Sequence, residues 1–573
     1  MSKKQVRAEK PNSSRESDPA VIDDLFAGAR RSHQAGNLAE AEALYRRILS
    51  RDPRHADAMH LLGVLADQSG RPEEAVDLIE QAIAINDASF YRNNFGNVLR
   101  RLGRFDEAAA HYARAVALKP GNTEAHYNLG NLRLDQGCFA EAEACYRQAI
   151  IAKPGFALAY MNLGNALRLQ ERLDEAEACY ARAAELKPDY AEAHYNYGNT
   201  LQDRGAFEDA AACFRCALAL RPDYTEALLN LGNALRSLGQ FGEALASYRR
   251  AVQIRPGYAE AYVNEAMTLL LAGDFAAGWP QYEWRWRSKN AKPHGLAAPL
   301  WDGGDFAGKT ILLHAEQGLG DSIQFVRYAP LVKAKGGTVF LSCPASLTRL
   351  FQSVPGIDRV IADGADLPAY DVQAPLMSLP MLFGTRLDTI PCGTPYLAPA
   401  AELAVAWAKK IPHGGDLKIG LVWAGTPLID RPDNRAVDRR RSLKLERLTP
   451  LASVPNLRFF SLQKGAAGEE AKNPPPGMNL IDLMDEVEDF ADTAALIAGL
   501  DLVIGVDTSV VHLAGAMGKP VWVLSRYDGC WRWLAERSDS PWYPSLRLFR
   551  QPQPGDWDSA IDDARRALAE KRY

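Results

Sequence analysis

The chain has 573 residues, of which 47% are hydrophobic and 24% charged, and its formal net charge is −5. This length predicts two or more domains, and the slightly acidic charge gives no support to a nucleic-acid partner. The polar start MSKKQVRAEKPNSSRESD indicates a disordered N-terminus over residues 1–20 rather than a signal peptide. No apolar stretch of the sequence reaches the roughly 20 residues of a membrane span, which favours a cytoplasmic protein.

A 34-residue period runs through the first half of the chain. Glycine, alanine and proline all keep this period, and the glycines are Gly96, Gly130, Gly164, Gly198 and Gly232. Small residues let two antiparallel helices approach closely, and proline ends the second helix of each pair. The pattern predicts an all-α solenoid of about eight helix pairs over residues 21–288, and it resembles the tetratricopeptide repeat.

One asparagine recurs at the same position of successive repeats. This column consists of Asn94, Asn128, Asn162, Asn196, Asn230 and Asn264. Side-chain amides donate and accept hydrogen bonds, so the column could bind an extended peptide in the groove of the solenoid. A similar asparagine ladder is known in the superhelix of O-linked N-acetylglucosamine transferase. The alternative is local hydrogen bonding within the repeats, and the sequence leaves both interpretations open.

The last repeat is rich in aromatic residues, with Trp279, Tyr282, Trp284 and Trp286 close together. We expect this apolar face to cap the solenoid and to dock the next domain. The Gly-, Pro- and Ala-rich residues 289–308 are typical of a linker.

Short apolar runs alternate with helical stretches in the second half. The runs TILLHA, TVFLSCP, RVIA and YDVQAPL indicate one lobe over residues 309–400. A second series, LKIGLVWAG, LRFFSLQ, MNLIDL, LDLVIGVD and KPVWVLS, indicates a lobe over residues 416–573. Such alternation predicts parallel sheets, so the fold class is a solenoid followed by two Rossmann-like α/β lobes. Ligands of such lobes bind at the carboxyl ends of the strands.

The segment HAEQGLGDSIQFVRY, residues 314–328, follows the first apolar run. Gly318 and Gly320 do not make a dinucleotide fingerprint because Ile323 takes the place of the third glycine, and the G-K-[ST] of a P-loop is absent. Asp321 then has two interpretations. It caps the following helix, or it points into the cleft as a general base toward an acceptor hydroxyl.

The second lobe contains a strand followed by Asp507, Thr508 and Ser509 at the start of a helix. A helix N-terminus with hydroxyls and free amides favours a diphosphate, and His512 lies one turn further on, as a site residue or a packed one. Trp423, Gly425 and Gln463 also stand at strand ends, where we expect them to face the cleft. The run Arg439, Arg440 and Arg441 could supply a cation for a leaving diphosphate, although most of it reads as a solvated charge run.

The motifs GLGDSI, VWAG, RRSLKL, SLQKG and VDTSVVHLAGAMGKP together resemble the heptosyltransferase-type glycosyltransferases. The resemblance implies a GT-B fold, Asp321 as base, and Asp507, Thr508 and His512 at the donor diphosphate. It also implies a nucleotide sugar as co-substrate, no other cofactor and no metal. The family's Lys-Arg pair is replaced here by DRRRSLK, where we favour Arg441 over Lys444. Features that recognise heptose are not identifiable, so an ADP-heptose donor is not implied.

Asp556-Trp557-Asp558 is the one conspicuous D-x-D of the sequence, and we interpret it as a helix cap rather than a metal site. Repeats joined to such a transferase are similar to bacterial tetratricopeptide-containing glycosyltransferases, including those that modify flagellin. We therefore expect an enzyme that transfers a sugar, with inversion, to a Ser or Thr of a protein acceptor, such as a flagellin-like protein, held in the groove. The alternatives are a repeat adaptor with a non-catalytic nucleotide-sugar domain, and a transferase for lipid or polysaccharide.

Overall fold

The structure is a computed structural model that describes residues 19–289, 295–391, 393–426 and 432–571. The chain divides into two compact units, Met1–Thr200 and Leu201–Tyr573. Of the expected disordered segment, residues 1–18 lie outside the described residues, and the first helix begins at Pro19.

The first unit is built from helices of 13 to 16 residues that pack in consecutive pairs. The helices are α1 (Pro19–Gln34), α2 (Leu38–Arg51), α3 (Ala56–Gln68), α4 (Pro72–Ile85), α5 (Ser89–Arg101), α6 (Phe105–Leu118), α7 (Thr123–Asp135), α8 (Phe139–Ala152), α9 (Ala157–Leu169), α10 (Leu173–Leu186) and most of α11 (Ala191–Arg204).

The repeated glycines are explained by the contact between the two helices of a pair. A Cβ added to Gly96 on α5 would lie 2.5 Å from the ring of Tyr112 on α6, and the same contact joins Gly130 to Tyr146 at 2.7 Å. Only glycine leaves room for the tyrosine ring at this spacing. The in-phase Ala108 is fully buried beside it. The predicted solenoid is therefore confirmed.

The second unit begins with five further helices of the repeat series. They are α12 (Phe207–Leu220), α13 (Thr225–Ser237), α14 (Phe241–Ile254), α15 (Ala259–Leu271) and α16 (Phe275–Tyr282). A 3₁₀ turn at Glu283–Arg287 follows α16. The expected aromatic cap is present here: Trp279 is buried in the core that continues into the sheets, and Trp284 stacks on Tyr262.

The first sheet has four parallel strands in the order β3-β2-β1-β4. They are β1 (Thr310–His314), β2 (Thr338–Cys343), β3 (Arg359–Ala362) and β4 (Val372–Pro375). The helices between and after them are α17 (Leu319–Phe325), α18 (Ala329–Lys333), α19 (Ala345–Phe351), α20 (Leu379–Leu382) and α21 (Ala401–Ala408). The expected linker is partly packed on this sheet. The Trp301 side chain is buried, and the backbone N–H of Trp301 donates to the backbone carbonyl of Gln373 at 2.8 Å.

The second sheet has six parallel strands in the order β10-β9-β8-β5-β6-β7. They are β5 (Leu417–Val422), β6 (Leu457–Ser461), β7 (Leu480–Ile481), β8 (Leu502–Val506), β9 (Val521–Ser525) and β10 (Leu546–Arg550). The helices are α22 (Pro432–Arg441), α23 (Phe490–Ala498), α24 (Ser509–Ala516) and α25 (Trp557–Ala569). This is the strand order of the doubly wound dinucleotide-binding fold, whose ligand crevice lies where β5 meets β8.

All nine expected strands are present, so the α/β fold class is confirmed. The sequence analysis did not identify β10. The helical segment that follows Gly318 consists of α17, a 3₁₀ turn at Val326–Tyr328 and α18. Among the described helices, none is long and apolar enough to cross a membrane.

Replacing Gly232 with alanine should destabilise the second unit. The new Cβ would lie 2.4 Å from the Tyr248 ring. Overpacking of about 1–3 kcal/mol should exceed the ~1 kcal/mol that alanine gains over glycine in a helix. Gly242→Ala on the neighbouring helix is the matched control: no atom lies within 4 Å of its added Cβ, so it should be neutral or stabilising. Urea unfolding followed by circular dichroism measures both. Equal effects of the two changes would contradict this account of the repeated glycine.

His60 should make the first unit sensitive to mild acid. Burial lowers the pKa of His60 from its ordinary value of 6.5 to about 4, although the charge of Asp57 opposes this shift. The unfolded chain therefore takes up a proton below pH 6.5 that the folded unit refuses, and stability falls as the pH drops toward 4. The loss is of order 3 kcal/mol. His60→Phe should flatten the pH dependence of the free energy of unfolding in this window, and an unchanged slope would rule His60 out as its source.

Candidate functional site

The turn after β1 brings Asp321 to the first turn of α17. Gly318 is the N-cap residue, and its backbone N–H donates to Asp321 Oδ2 at 3.1 Å. This is the capping interaction that the sequence left as one interpretation of Asp321. The second carboxylate oxygen, Oδ1, is oriented away from this cap and accepts a hydrogen bond from Arg532. Capping and a role in the cleft are therefore compatible.

Arg532 is the central cation of the candidate site. It follows β9 on a 3₁₀ turn at Trp531–Trp533, and its guanidinium lies over the Trp531 ring, 4.4 Å from its centroid. The side chain is 14% exposed and that of Asp321 12%, so the ion pair is largely shielded from water. Burial is the largest influence and opposes the charge of Arg532, but Asp321, Cys530, Tyr282 and Asp507 together outweigh it and hold the arginine pKa well above its ordinary value.

The second sheet supplies the start of α24. β8 ends at Val506, and Thr508 caps the helix in an extended conformation without a capping hydrogen bond from its side chain. Within the described part of the chain, its buried Oγ1 has no hydrogen-bond partner. Ser509 is the first residue of the helix. The hydroxyls and free amides that the sequence predicts are therefore together at this helix N-terminus.

Asp507 and His512 lie side by side at the same place. His512 Nε2 is 3.8 Å from Asp507 Oδ1, and His512 Nδ1 is 2.9 Å from the hydroxyl of Tyr543. Burial would raise the pKa of Asp507, but His512 with Arg532 and Arg441 outweighs burial, so the pKa lies below its ordinary value. Asp507 is therefore ionised at neutral pH. His512 is buried and stacks on Trp533, as expected of a packed residue, and it also lies beside Asp507, as expected of a site residue.

Arg441 reaches this cluster from the end of α22. Its Nη1 donates to the Asp507 carbonyl at 3.2 Å, while Nε and Nη2 donate to Asp438. A Cβ on Gly425 would lie 2.3 Å from the guanidinium, so the glycine lets the arginine cross over the backbone. Lys444 is exposed beyond this point. The geometry favours Arg441 as the cation nearest the α24 N-terminus.

The side chains of Trp423 and Gln463 do not face the cleft as the sequence predicted. The Trp423 ring is fully buried in the core of the second sheet. Gln463 Oε1 accepts from the N–H groups of Trp423 and Ala424, and its Nε2 donates to the carbonyls of Ala424 and Lys464. Because these bonds occupy its amide, Gln463 fixes the backbone that leads to Gly425.

The two lobes meet where α17 and α24 begin. A Cβ on Gly320 would lie 2.9 Å from His512 Cδ2 and 3.5 Å from the Cα of Ser509. The glycine is needed for this close approach rather than for a phosphate. Two helix N-termini, Arg441 and Arg532 thus surround two carboxylates, Asp321 and Asp507, which favours an anionic ligand beside a candidate base.

Comparisons with known proteins show which families the two halves of the chain resemble. Residues 456–527, which include Asp507 and His512, match the family model of glycosyltransferase family 9 (heptosyltransferase). Tetratricopeptide-repeat models match residues 32–91 and, in overlapping segments, 93–259. The chain is thus similar to tetratricopeptide-repeat proteins in its first half and, over residues 456–527, to family 9 glycosyltransferases.

Protein FlbA of Caulobacter vibrioides is 30% identical over 324 residues, which are 51% of this chain and 52% of that protein. The chain thus spans about half the length of this curated relative. Two solved structures resemble the repeats. YrrB, a tetratricopeptide-repeat protein with an unusual peptide-binding site, is 25% identical and covers 32% of this chain and 95% of its own, with a TM-score of 0.30. PilF of Pseudomonas aeruginosa is 21% identical, and the match covers 36% of this chain and 94% of PilF, with a TM-score of 0.34.

A buried ion pair joins the last repeat to the turn that follows β1 of the first sheet. Arg285, in the turn after α16, donates two hydrogen bonds to Glu316 at 2.8 and 2.9 Å and one to Ser378 at 2.7 Å. The Arg285 and Glu316 side chains are 7% and 6% exposed. Glu316 comes just before Gly318, so the end of the solenoid helps to fix the turn that carries Asp321.

The asparagine column makes contacts between neighbouring repeats. Asn162 Nδ2 donates to Asn131 at 2.7 Å, and Asn94 Nδ2 lies 3.1 Å from His60 Nε2. These bonds fit the alternative of local repeat chemistry. All six members are half-buried, and peptide binding by them stays a prediction.

The acidic residues of the D-x-D segment do not converge. Asp556 caps α25 by accepting from Ser559 N at 3.1 Å, as the sequence predicted. Across the described ranges, no group of three or more His, Cys, Asp or Glu side chains is arranged to hold a metal ion. The metal independence implied by the resemblance stays a prediction.

Arg532 should be essential to the stability of the site because its guanidinium pairs with the shielded carboxylate of Asp321 and its charge also helps to lower the pKa of Asp507. Arg532→Gln should lower the free energy of unfolding by about 2–4 kcal/mol. Adding Asp321→Asn should restore part of that loss, with a coupling above about 1 kcal/mol in a double-mutant cycle followed by urea unfolding. Arg537→Gln, which breaks the exposed pair with Asp539, is the control and should cost less than about 1 kcal/mol. Additive effects of the first two changes would contradict the coupling.

Proposed function

We propose that the chain is a glycosyltransferase that moves a sugar from a nucleotide-sugar donor to a Ser or Thr hydroxyl of a protein acceptor. The observation that carries the proposal is the close approach of Gly320, next to Asp321, to the α24 N-terminus, which lies within the residues that match family 9. A candidate base and a diphosphate site are then adjacent, as a group transfer between two substrates requires.

The donor diphosphate would bind at Thr508 and Ser509. Backbone amides at the start of α24 donate to phosphate oxygens, and the helix dipole adds to their effect. The unpartnered Thr508 Oγ1 offers one further donor. Arg441 offsets the charge that develops on the leaving group as the bond from the sugar carbon to the phosphate oxygen breaks.

Asp321 would accept the proton of the acceptor hydroxyl as its oxygen attacks the sugar carbon. The oxygen–carbon bond forms while the carbon–phosphate-oxygen bond breaks, and the nucleoside diphosphate leaves from the opposite face, so the configuration inverts. Arg532 orients the Asp321 carboxylate in the ligand-free chain. A carboxylate has about four acceptor positions, so the cap and Arg532 leave room for a hydroxyl.

Tetratricopeptide repeats usually bind proteins, which supports a protein acceptor over a lipid or polysaccharide. We propose that the acceptor, for example a flagellin-like protein, lies along the solenoid and presents its hydroxyl to Asp321. The asparagine column would contribute those amide groups that the contacts between repeats leave available. The nucleotide sugar is a co-substrate, and the proposal includes no metal.

The decisive experiment identifies the product. The full chain is incubated with proteins that co-purify with it and with a panel of nucleotide sugars, and intact masses are recorded with and without EDTA. A sugar-sized mass increment on a partner protein, unaffected by EDTA, is expected. Nucleotide-sugar binding by calorimetry without any product would instead favour the adaptor alternative, and a product on lipid or polysaccharide would favour the third.

Two substitutions should separate the two halves of the mechanism. Asp321→Asn keeps an oxygen for the Gly318 cap but removes the base, so kcat should fall about 10²-fold or more while nucleoside diphosphates still bind in calorimetry, at least as tightly as to wild type because Arg532 loses its competing carboxylate. Arg441→Gln should instead weaken diphosphate binding by about tenfold, the usual effect of losing one charged hydrogen bond. Unchanged turnover in Asp321→Asn would remove Asp321 from the mechanism.

A further inference from the structure

A cavity of about 210 Å³ lies beside the candidate site, within the second unit. Its walls are the turn between α11 and α12 and the segments that follow β9 and β10. Phe207, Tyr527 and Trp557 give it aromatic surfaces, and Arg440 and Asp528 line it as an ion pair. The proposed diphosphate and base groups do not line it.

Gln551 presents an unsatisfied donor at this cavity. Its Oε1 accepts from the N–H groups of Tyr527 and Gly555, both at 3.1 Å. Because only an oxygen can accept these two bonds, the amide orientation is fixed and Nε2 must lie on the other side. Gln551 is 5% exposed, and its Nε2 has no hydrogen-bond partner among the described residues.

Arg440 adds a second donor of the same kind. Its Nη2 donates to Asp528 at 3.1 Å and its Nη1 to the Gln202 carbonyl at 3.4 Å, while the buried Nε lacks a described acceptor. Asp528 is also paired with Arg526 at 3.3 Å, so its charge is already offset. Two guanidinium groups, those of Arg440 and Arg526, thus share one carboxylate, so this side of the cavity has buried donors and one positive charge in excess of Asp528, and it calls for an anionic acceptor group.

The size of the cavity points to a side chain rather than a whole metabolite. Small-molecule pockets usually measure about 300–1,000 Å³, so about 210 Å³ suits one group of a larger partner. The repeat turn at Phe207 forms one wall, and Arg440 is next in sequence to Arg441 of the proposed diphosphate site. A polypeptide that passes from the repeats to the cleft would meet this cavity near its modified residue.

We propose that this cavity binds the carboxylate of an aspartate or glutamate side chain of the acceptor polypeptide. Gln551 Nε2 and Arg440 Nε donate to that carboxylate, and the aromatic residues pack on its aliphatic stem. The proposal rests on the proposed function, because it assumes a protein acceptor, and it adds a preference for acidic residues near the modified hydroxyl.

A binding selection tests the proposal without requiring transfer. The full chain is immobilised and offered a library of short synthetic peptides that contain one fixed serine between random positions, and the bound peptides are sequenced by mass spectrometry. Wild type should enrich Asp and Glu over Asn and Gln by about tenfold at one distance from the serine, the gain from one charged hydrogen bond.

Gln551→Glu should abolish the enrichment, because glutamate still accepts from Tyr527 and Gly555 but replaces the donor with a negative charge. Gln553→Glu makes the same change at an exposed position near the cavity and should leave the enrichment intact. Arg440→Gln is the second test variant, should Gln551→Glu fail to fold by circular dichroism. Absence of acidic enrichment in wild type, its survival in the test variants or its equal loss in Gln553→Glu would each overturn the proposal.

A second measurement distinguishes a carboxylate of the donor sugar. Calorimetric binding of UDP-glucuronic acid and of UDP-glucose is compared in wild type and Gln551→Glu, and the ratio of the two affinities should be the same in both. A ratio that changes assigns the cavity to the donor and overturns the proposal. Sugar transfer without acidic enrichment would refute the cavity assignment alone, whereas enrichment without transfer would refute the proposed function and leave a peptide site.

Discussion

Arg532 is the residue on which the candidate site depends, because it joins groups carried by two different sheets. Asp321 comes from the turn after the first strand of one sheet, and Asp507 from the end of a central strand of the other. Two ionised carboxylates in a partly dehydrated cleft repel each other, and a guanidinium beside them offsets that repulsion. The close approach of α17 and α24 at Gly320 is compatible with charge only because this cation is present.

The same arrangement explains why the site suits an anionic ligand without being strongly basic. Each arginine in it is partnered: Arg532 by Asp321, and Arg441 by Asp438. A diphosphate at the start of α24 would therefore exchange partners with existing ion pairs rather than enter an empty positive pocket. Such exchange keeps the ligand-free site stable and makes the orientation of Asp321 respond to what the neighbouring cation contacts.

Much of the fold and part of the site could be predicted from the sequence, for local reasons. The 34-residue period and the apolar runs reflect contacts between residues that are close in the sequence, such as the contact between Gly96 and Tyr112 of one helix pair. Turn and cap chemistry located Asp321 and Asp507. Arg532 was missed because its partner is 211 residues away and its neighbours are core tryptophans. The inward direction of Trp423 was missed because side-chain direction at a strand end depends on how the chain turns next.

The ion pair between Arg285 and Glu316 decides where an autonomous transferase fragment could begin. A cut inside residues 289–308 would follow the composition of the sequence, yet it would remove Arg285 and leave Glu316 buried without its cation. Burial already raises the pKa of Glu316 although Arg285 opposes the effect, so the lone carboxyl would take up a proton or draw water into the core. The aromatic residues that receive Trp279 would lose their cover as well. The last two repeat helices, α15 and α16, are thus part of the same folded body as the two sheets, and a stable fragment must begin before them rather than at the linker that the composition indicates.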